Sequence, residues 1–351
     1  MDFSFWHGKK VFVTGHTGFK GSWLTLALLK MGAIVMGLSD KTHGKKTIYE
    51  AANISNDIED IKSDINDMDT IINSMNEFRP DIVFHLAAQP FVIHSYVNPI
   101  ETYNANVMGT LSILEAVKKT SSVKVSIFIT TDKCYENKEL DRGYKEDDTL
   151  GGHDPYSSSK ACAEILIKSY RDSYSTSLKS NISSVRAGNV IGGGDFGKDR
   201  LMADIVNSII AEKEIHIRRP NAIRPWQHVL DPISGYMQLA QRMYLNNKYE
   251  GAWNFGPDDE SIKTVEYIIN KACNFWGDEA RWISNQDTNN LHHETIQLRL
   301  DSNKAKNSLE WKPKWNIDKA LTETLIWYKM QHKGENMRIF SDQQLSDYIS
   351  S

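Results

Sequence analysis

Apolar, β-branched runs recur along the chain at 33–39, 81–88, 125–131 and 182–191, and helix-period patterns lie between them. Alternation of this kind predicts a parallel sheet with helices on both faces. The expected class is α/β: a doubly wound parallel-sheet Rossmann domain with a smaller, mostly C-terminal α/β substrate domain. The character changes after Ile191, where glycine and charge (GGGDFGKDR) precede a helical pattern at 201–211. The stretch PWQHVLD, 225–231, reads as a return to the first unit. The expected division is therefore 1–190, rejoined by about 225–256, for one domain, and 191–224 with 257–351 for the other. Helical patterns carrying Trp, Tyr and Leu occupy 261–277 and 317–331, and there is no internal repeat or low-complexity linker.

The earliest apolar run, Val11, Phe12 and Val13, meets Thr14-Gly15, and Gly18 and Gly21 follow at three-residue spacing. A helical pattern of Trp23, Leu24, Leu26, Ala27 and Leu28 comes next. Strand, glycine turn and helix together are the context in which a glycine fingerprint signifies dinucleotide binding. One glycine permits the turn, one admits a pyrophosphate to the backbone, and one lets helix pack on strand. The first turn of the helix offers free N–H groups and its positive dipole end to phosphate.

The 33–39 run ends at Ser39, followed by Asp40. An acidic residue here serves as the ribose ligand that favours NAD. Asp40 comes one place later than the pattern prefers and is followed by Lys41, so a solvated turn aspartate is the competing reading. Asp64 and Ile65, closing a strand-like KSDI, are placed to line an adenine pocket. The stretch 85–89, HLAAQ, closes the fourth strand with the small residues that let a nicotinamide ribose lie against backbone.

Composition narrows the classes without choosing one. The chain of 351 residues is 40% hydrophobic and 25% charged, as ordinary globular proteins are. A net charge of −4 gives no reason to expect nucleic acid. Three scattered cysteines (Cys134, Cys162, Cys273) form neither a disulfide framework nor a zinc site. The opening MDFSFWHGKK lacks the order of a signal peptide, and no run is long enough to span a bilayer, so a cytoplasmic protein is expected. His292-His293 invites a metal reading, but adjacent side chains diverge and no further ligands accompany them, so no metal is expected.

Asp154-Pro155 is an N-cap followed by proline at the first helical position, so a helix begins at Tyr156. Tyr156 and Lys160 then stand one turn apart on one face. A nearby ammonium favours the phenolate and makes a tyrosine usable as a base. Thr131, at the end of the fifth strand, is positioned to hydrogen-bond the reacting oxygen beside it. Fingerprint, Thr131, Tyr156 and Lys160 together resemble the extended short-chain dehydrogenase/reductase superfamily over nearly the whole chain.

Longer strings narrow the likeness. ITTDKCYENKE (129–139), GGHDPYSSSKACAE (151–164), VRAGNVIGGGDF (185–196) with DRL (199–201), and IRPWQHVLDPISGY (223–236) are similar to the CDP-glucose 4,6-dehydratases. HETIQLRLDSNKA (293–305) and WKPKW (311–315) carry the likeness to the C-terminus. The resemblance implies bound NAD, CDP-glucose as substrate, and a 4-keto-6-deoxy product destined for cell-surface dideoxysugars. It implies that Tyr156 takes the 4-hydroxyl proton, that C4 is oxidised, that water leaves across C5 and C6, and that hydride returns to C6.

Asp132 is assigned as the acid for the 6-hydroxyl, which requires a shielded, protonated carboxyl. Lys133 stands where the related dTDP-glucose dehydratases carry a glutamate base. It acts as the C5 base only if burial or a neighbouring cation such as Lys160 favours its neutral form; otherwise it stabilises the enolate. Gly15, Thr17, Gly18, Phe19, Gly21, Ser39, Asp40, Asp64 and Ile65 make the expected cofactor set on one side. Leu86, Ala87, Ala88, Gln89, Asn106, Thr130, Tyr156 and Lys160 complete it. For the substrate, Arg224 is expected to grip the diphosphate bidentately, with Asn189 and Arg200 next. Tyr135, His94 and His228 are further candidates, each weighed against simple packing or, for His94, an unpaired loop histidine.

Two helical stretches, 107–118 and the one carrying Tyr156, show apolar residues on more than one side (Val107, Leu111 and Leu114, but also Ile113, Ala116 and Val117). In the superfamily such helices pair with their copies, so the resemblance implies a homodimer. Three other readings stay open: the same reaction on another nucleotide hexose, a nucleotide-sugar C4 epimerase, and a non-catalytic NAD-binding scaffold.

Overall fold

The computed structural model describes residues 2–42, 44, 46–197, 200–277, 280–284 and 298–351. Seven strands make the central sheet: β1 (Lys10–Thr14), β2 (Ile34–Ser39), β3 (Glu59–Lys62), β4 (Ile82–His85), β5 (Val125–Ile129), β6 (Asn181–Ala187) and β7 (Gly251–Phe255). Their order is β7-β6-β5-β4-β1-β2-β3, and every neighbouring pair is parallel. The order reverses between β1 and β4, and in doubly wound sheets ligands bind in the crevice beyond the strand ends at that point.

The central strands β1 and β4 are apolar on both faces, as strands covered on both sides tend to be. Along β1, Val11 and Val13 face one layer and Phe12 the other; Ile82 and Phe84 of β4 oppose Val83 in the same way. On the first face lie α1 (Phe19–Lys30), through Trp23, Leu24 and Leu28. The second face is covered by α2 (Met68–Phe78), α3 (Gly109–Lys119) and α4 (Pro155–Ser173), which contribute Ile71, Met75, Ile113, Val117 and Ile167. Returning to the first face, α5 (Leu230–Leu245), α6 (Ile317–His332) and α7 (Met337–Ser350) join α1 in one continuous core containing Ile233, Met237, Leu325, Trp327 and Tyr348.

Several boundaries differ from those expected. The edge strand β3 reads EDIK, is mostly exposed, and ends at Lys62, so Asp64 and Ile65 follow it in a loop instead of closing it. Charge on an edge strand guards against edge-to-edge pairing and hides the strand from an apolar pattern. The run 125–131 leaves the ladder after Ile129, and the run 182–191 breaks at Gly188 before a short Val190–Ile191 pairs with Gln227–His228. A side chain at Gly188 would begin 2.8 Å from Asp132 Oδ2, so the break accommodates the loop after β5. Residues 261–277 are not one helix: Ile262–Thr264 is a strand antiparallel to Ile223–Pro225, and Val265–Trp276 is helical behind an N-cap at Thr264. In the stretch 107–118, Ile113, Leu114, Ala116 and Val117 are buried in the layer shared with α2, while Val107 and Leu111 stay partly exposed. Among the described residues no helix is long and apolar enough to cross a membrane.

Candidate active site

A cleft of ≈ 1480 Å³ opens at the carboxyl ends of β1, β4 and β5. Its floor starts at Gly15, whose φ of 70° lies in the left-handed region that favours glycine. Any Cβ there would stand 2.6 Å from the Ala87 backbone nitrogen, and one at Gly21 would stand 2.2 Å from the Gly15 carbonyl oxygen. The two strand ends are tied beneath this contact. Thr14 Oγ1 lies 2.8 Å from His85 Nδ1 and accepts the Ala87 N–H at 3.2 Å, while His85 Nε2 reaches Thr110 Oγ1 at 3.2 Å. Burial pushes His85 down to about 3, so it is a neutral spacer.

Thr17, Gly18, Phe19, Ser39, Asp40, Asp64 and Ile65 line one arm of the cleft, and Leu86, Ala87, Ala88, Gln89 and Thr130 line its middle. The Thr17 and Ser39 hydroxyls meet at 2.8 Å, which fastens the glycine loop to the end of β2. Asp40 is half exposed and lies 3.4 Å from Lys41 Nζ. Asp64 Oδ1 accepts the Asn66 backbone N–H at 2.8 Å. Asn106 is a correction: it is buried and is absent from the cleft wall. Its amide spans Gln89 and Ser159, accepting the Gln89 N–H at 2.8 Å and donating to Ser159 Oγ at 2.8 Å, so it braces the floor from below.

The start of α4 shows why Tyr156 is where it is. Asp154 caps the helix by accepting the Ser157 N–H at 2.9 Å, Pro155 has no N–H to satisfy, and the Tyr156 N–H donates to buried Ser95 Oγ at 3.1 Å. Tyr156 and Lys160 are both buried at the cleft wall. Burial drives the Tyr156 phenol up to about 12, against the pull of the Arg200 cation and a hydrogen bond with Thr131. Burial and the cation of Lys20 hold Lys160 down to about 8, and its ammonium donates to the Ile129 carbonyl at 3.3 Å.

Thr131 lies past the end of β5, not within it. Its extended backbone caps the 3-10 turn Asp132–Cys134, and its hydroxyl accepts the Lys133 N–H at 3.3 Å and donates to Asp132 Oδ1 at 2.9 Å. Asp132 is buried, Lys133 is partly exposed, and both line the cleft beside Tyr156. On the far wall stand Asn189, Arg200 and Arg224. The Arg200 guanidinium lies 5.6 Å over the Phe91 ring and 3.9 Å from Asp195, and Arg224 Nη1 donates to the Ile223 carbonyl at 2.8 Å.

The remaining candidates separate. His94 lines the cleft from the helix Val92–Val97, paired with Glu101 at 2.9 Å, so it is neither in a loop nor unpaired. Tyr135 is buried at the cleft edge; its ring stacks on Tyr144, and its hydroxyl donates to Asn254 and accepts from Arg186 at 2.6 Å. His228 is a second correction. It is fully buried and away from the cleft, wedged between Trp315 (4.7 Å) and Trp23 (6.2 Å), and burial alone drives it down to about 3. His292 and His293 lie outside the described residues.

Four residues went unnoticed in the sequence. Glu164, one turn beyond Lys160, is buried against Arg186 at 2.7 Å and accepts from Ser184 at 2.7 Å and from Thr130 at 2.5 Å. Arg186 in turn reaches Tyr135, so this network holds the loop after β5 onto α4 and β6. The residue spacing Tyr156, Lys160, Glu164 was a usable signal for it; nothing local marked Ser95. Lys20 lines the cleft from the first turn of α1, and burial with the nearby Arg200 cation lowers it to about 8.

Residues 12–324 match the family model described as GDP-mannose 4,6 dehydratase. The chain is 47% identical to a CDP-glucose 4,6-dehydratase of Salmonella typhimurium, covering 100% of this chain and 99% of that one. Among solved structures it is similar to a dTDP-glucose 4,6-dehydratase of Bacillus anthracis in complex with NAD (TM-score 0.77, 21% identity, 94% of this chain and 100% of that one). It is similar also to a Thermus thermophilus UDP-glucose 4-epimerase in complex with NAD (TM-score 0.77, 22% identity, 91% and 99%).

Proposed function

The chain belongs to the GDP-mannose 4,6-dehydratase family, and from that premise we propose that it is a hydro-lyase that converts CDP-glucose to CDP-4-dehydro-6-deoxyglucose with NAD as cofactor. The residues present fit a dinucleotide: the Gly15 and Gly21 cradle has no room for a Cβ, and the floor beside it is small and apolar. Gly15, Gly18 and Gly21 would hold its diphosphate, Asp40 its adenosine ribose, and Lys160 its nicotinamide ribose. NAD, when bound, accepts a hydride at C4 and returns one at C6, so nothing is oxidised overall.

The chain's own groups do the rest. Tyr156 takes the proton of the sugar 4-hydroxyl, with Thr131 hydrogen-bonding the same oxygen. The 4-ketone acidifies the C5 hydrogen, which Lys133 removes, while Asp132 protonates the departing 6-hydroxyl; when hydride returns to C6, Lys133 gives the proton back to C5. One observation carries the reading: an acid and an amine, Asp132 and Lys133, share the cleft wall with Tyr156. A C4 epimerase has no use for that pair, and a non-catalytic scaffold has no use for Tyr156 or Lys160.

Asn189, Arg200 and Arg224 would face the nucleotide diphosphate, and Tyr135 and His94 the rim of the sugar pocket. The proposed division of the chain stays 1–190 with about 225–256, and 191–224 with 257–351. A homodimer through the α3 and α4 side is supported by exposed Val97, Ile100, Met108 and Ile165. A cytoplasmic setting is supported by three unpaired cysteines, and a 4-keto-6-deoxy product would feed the making of dideoxysugars for surface polysaccharides.

The test is direct. Purified protein with CDP-glucose should give an alkali-induced ketone chromophore with no net NADH, and UDP-, dTDP- and GDP-hexoses in parallel should react far more slowly. Equal turnover of another nucleotide sugar would replace the assigned substrate. Epimerisation without dehydration would replace the reaction.

A further inference from the structure

We infer that Lys20 is a cofactor-binding residue whose ammonium holds the nicotinamide-side phosphate of the dinucleotide; this rests on the dinucleotide reading of the cleft. Lys20 is the second residue of α1, next to Gly18 and Gly21, and lines the cleft with them. It makes no hydrogen bond and no ion pair among the described residues, although it is only partly exposed. A cation withdrawn from water without a partner is costly, and an incoming anion removes that cost.

The surroundings say which anion. The charges that act on Lys20 are Arg200, Asp132 and Asp195, and Lys20 itself acts on Lys160. Asp132 and Lys160 stand on the catalytic wall and Arg200 with Asp195 on the wall facing it, so Lys20 lies between the two; Asp40 and Asp64, beside the adenosine end, are not among its partners. Two lysines therefore repel each other there, and the two carboxylates offset them only in part. The N-terminal dipole of α1 adds to the same positive field. In a dinucleotide lying on the glycine loop, the phosphate nearer the nicotinamide is the anion within reach of both.

Full-length protein freed of nucleotide is titrated calorimetrically with NAD, ADP-ribose and AMP. Lys20→Gln should weaken NAD and ADP-ribose alike by about tenfold. AMP, which carries only the adenosine-side phosphate, should change by less than about twofold. Lys20→Arg should keep most of the affinity, and Lys20→Met repeats the test should the glutamine variant not fold. Undiminished ADP-ribose binding in Lys20→Gln, or equal weakening of AMP, overturns the assignment while leaving the dinucleotide reading intact. A wild-type protein that binds neither NAD nor ADP-ribose sinks both.

Discussion

Burial raises the Tyr156 phenol to about 12, and the cation that pulls it back down is Arg200, not Lys160. The pairing expected from the four-residue spacing is thus one of position more than of charge: Lys160 points its ammonium to the Ile129 carbonyl. Tyr156→Phe should lower kcat by about 10²–10⁴ while substrate affinity stays near wild type, read from steady-state kinetics beside equilibrium binding. Lys133→Ala should leave C4 oxidation measurable, as transient absorbance of reduced cofactor, while water elimination stalls. Equal loss of both steps would refute its role as C5 base. Tyr156 and Lys160 were legible because a cap, a proline and a helical period fix them locally. His228 was misread for the opposite reason: its neighbours Trp23 and Trp315 are remote in sequence, and nothing in PWQHVLD announces them.

At the scale of elements, α4 is held at both ends of its catalytic face. Its N-terminus depends on Asp154, and Asp154→Ala should cost about 1 kcal/mol in denaturant unfolding and loosen the first turn that carries Tyr156. One turn past Lys160, Glu164→Gln should cost about 3–5 kcal/mol, because Arg186 stays buried without its counter-charge. Replacing both with apolar residues of similar volume should recover much of that stability. The sheet itself was largely legible, since β1, β2, β4 and β5 are largely apolar on both faces and β6 keeps Ile182, Val185 and Ala187 among its serines. β3 was not, because an exposed edge strand with three charged residues of four carries no apolar pattern. Nor was α7, whose buried stripe of Met337, Ser341, Leu345 and Tyr348 includes a serine and whose remaining positions are mixed.

Across the whole molecule, the C-terminal segment is fastened to the sheet layer through Asp231. Its Oδ1 accepts the Tyr348 hydroxyl and the Lys314 backbone N–H, each at 2.7 Å. Burial raises the Asp231 carboxyl to about 6, above the ~3.9 of an unfolded chain. The folded state then holds a proton that the unfolded chain releases. Stability from this group is full below about pH 4 and is lost as pH rises through about 6. Asp231→Asn should remove that dependence, narrowing the wild-type advantage by about 2–3 kcal/mol between pH 4 and 7 in paired urea titrations.

The continuous layer that unites α1 with α6 and α7 also sets an order of events during synthesis. Trp23 donates its indole N–H to the Gly193 carbonyl, and Gly193 lies so close under Trp327 that a Cβ would overlap that ring at 2.0 Å. The first helix therefore finds this neighbour only when α6, Ile317–His332, has left the ribosome. Until then the nascent polypeptide carries an uncovered tryptophan-rich flank, the kind of surface that holding chaperones capture. Ribosome-stalled chains ending before residue 317 should remain protease-sensitive, and chains long enough to expose α6 and α7 outside the ribosome should become resistant in a single step.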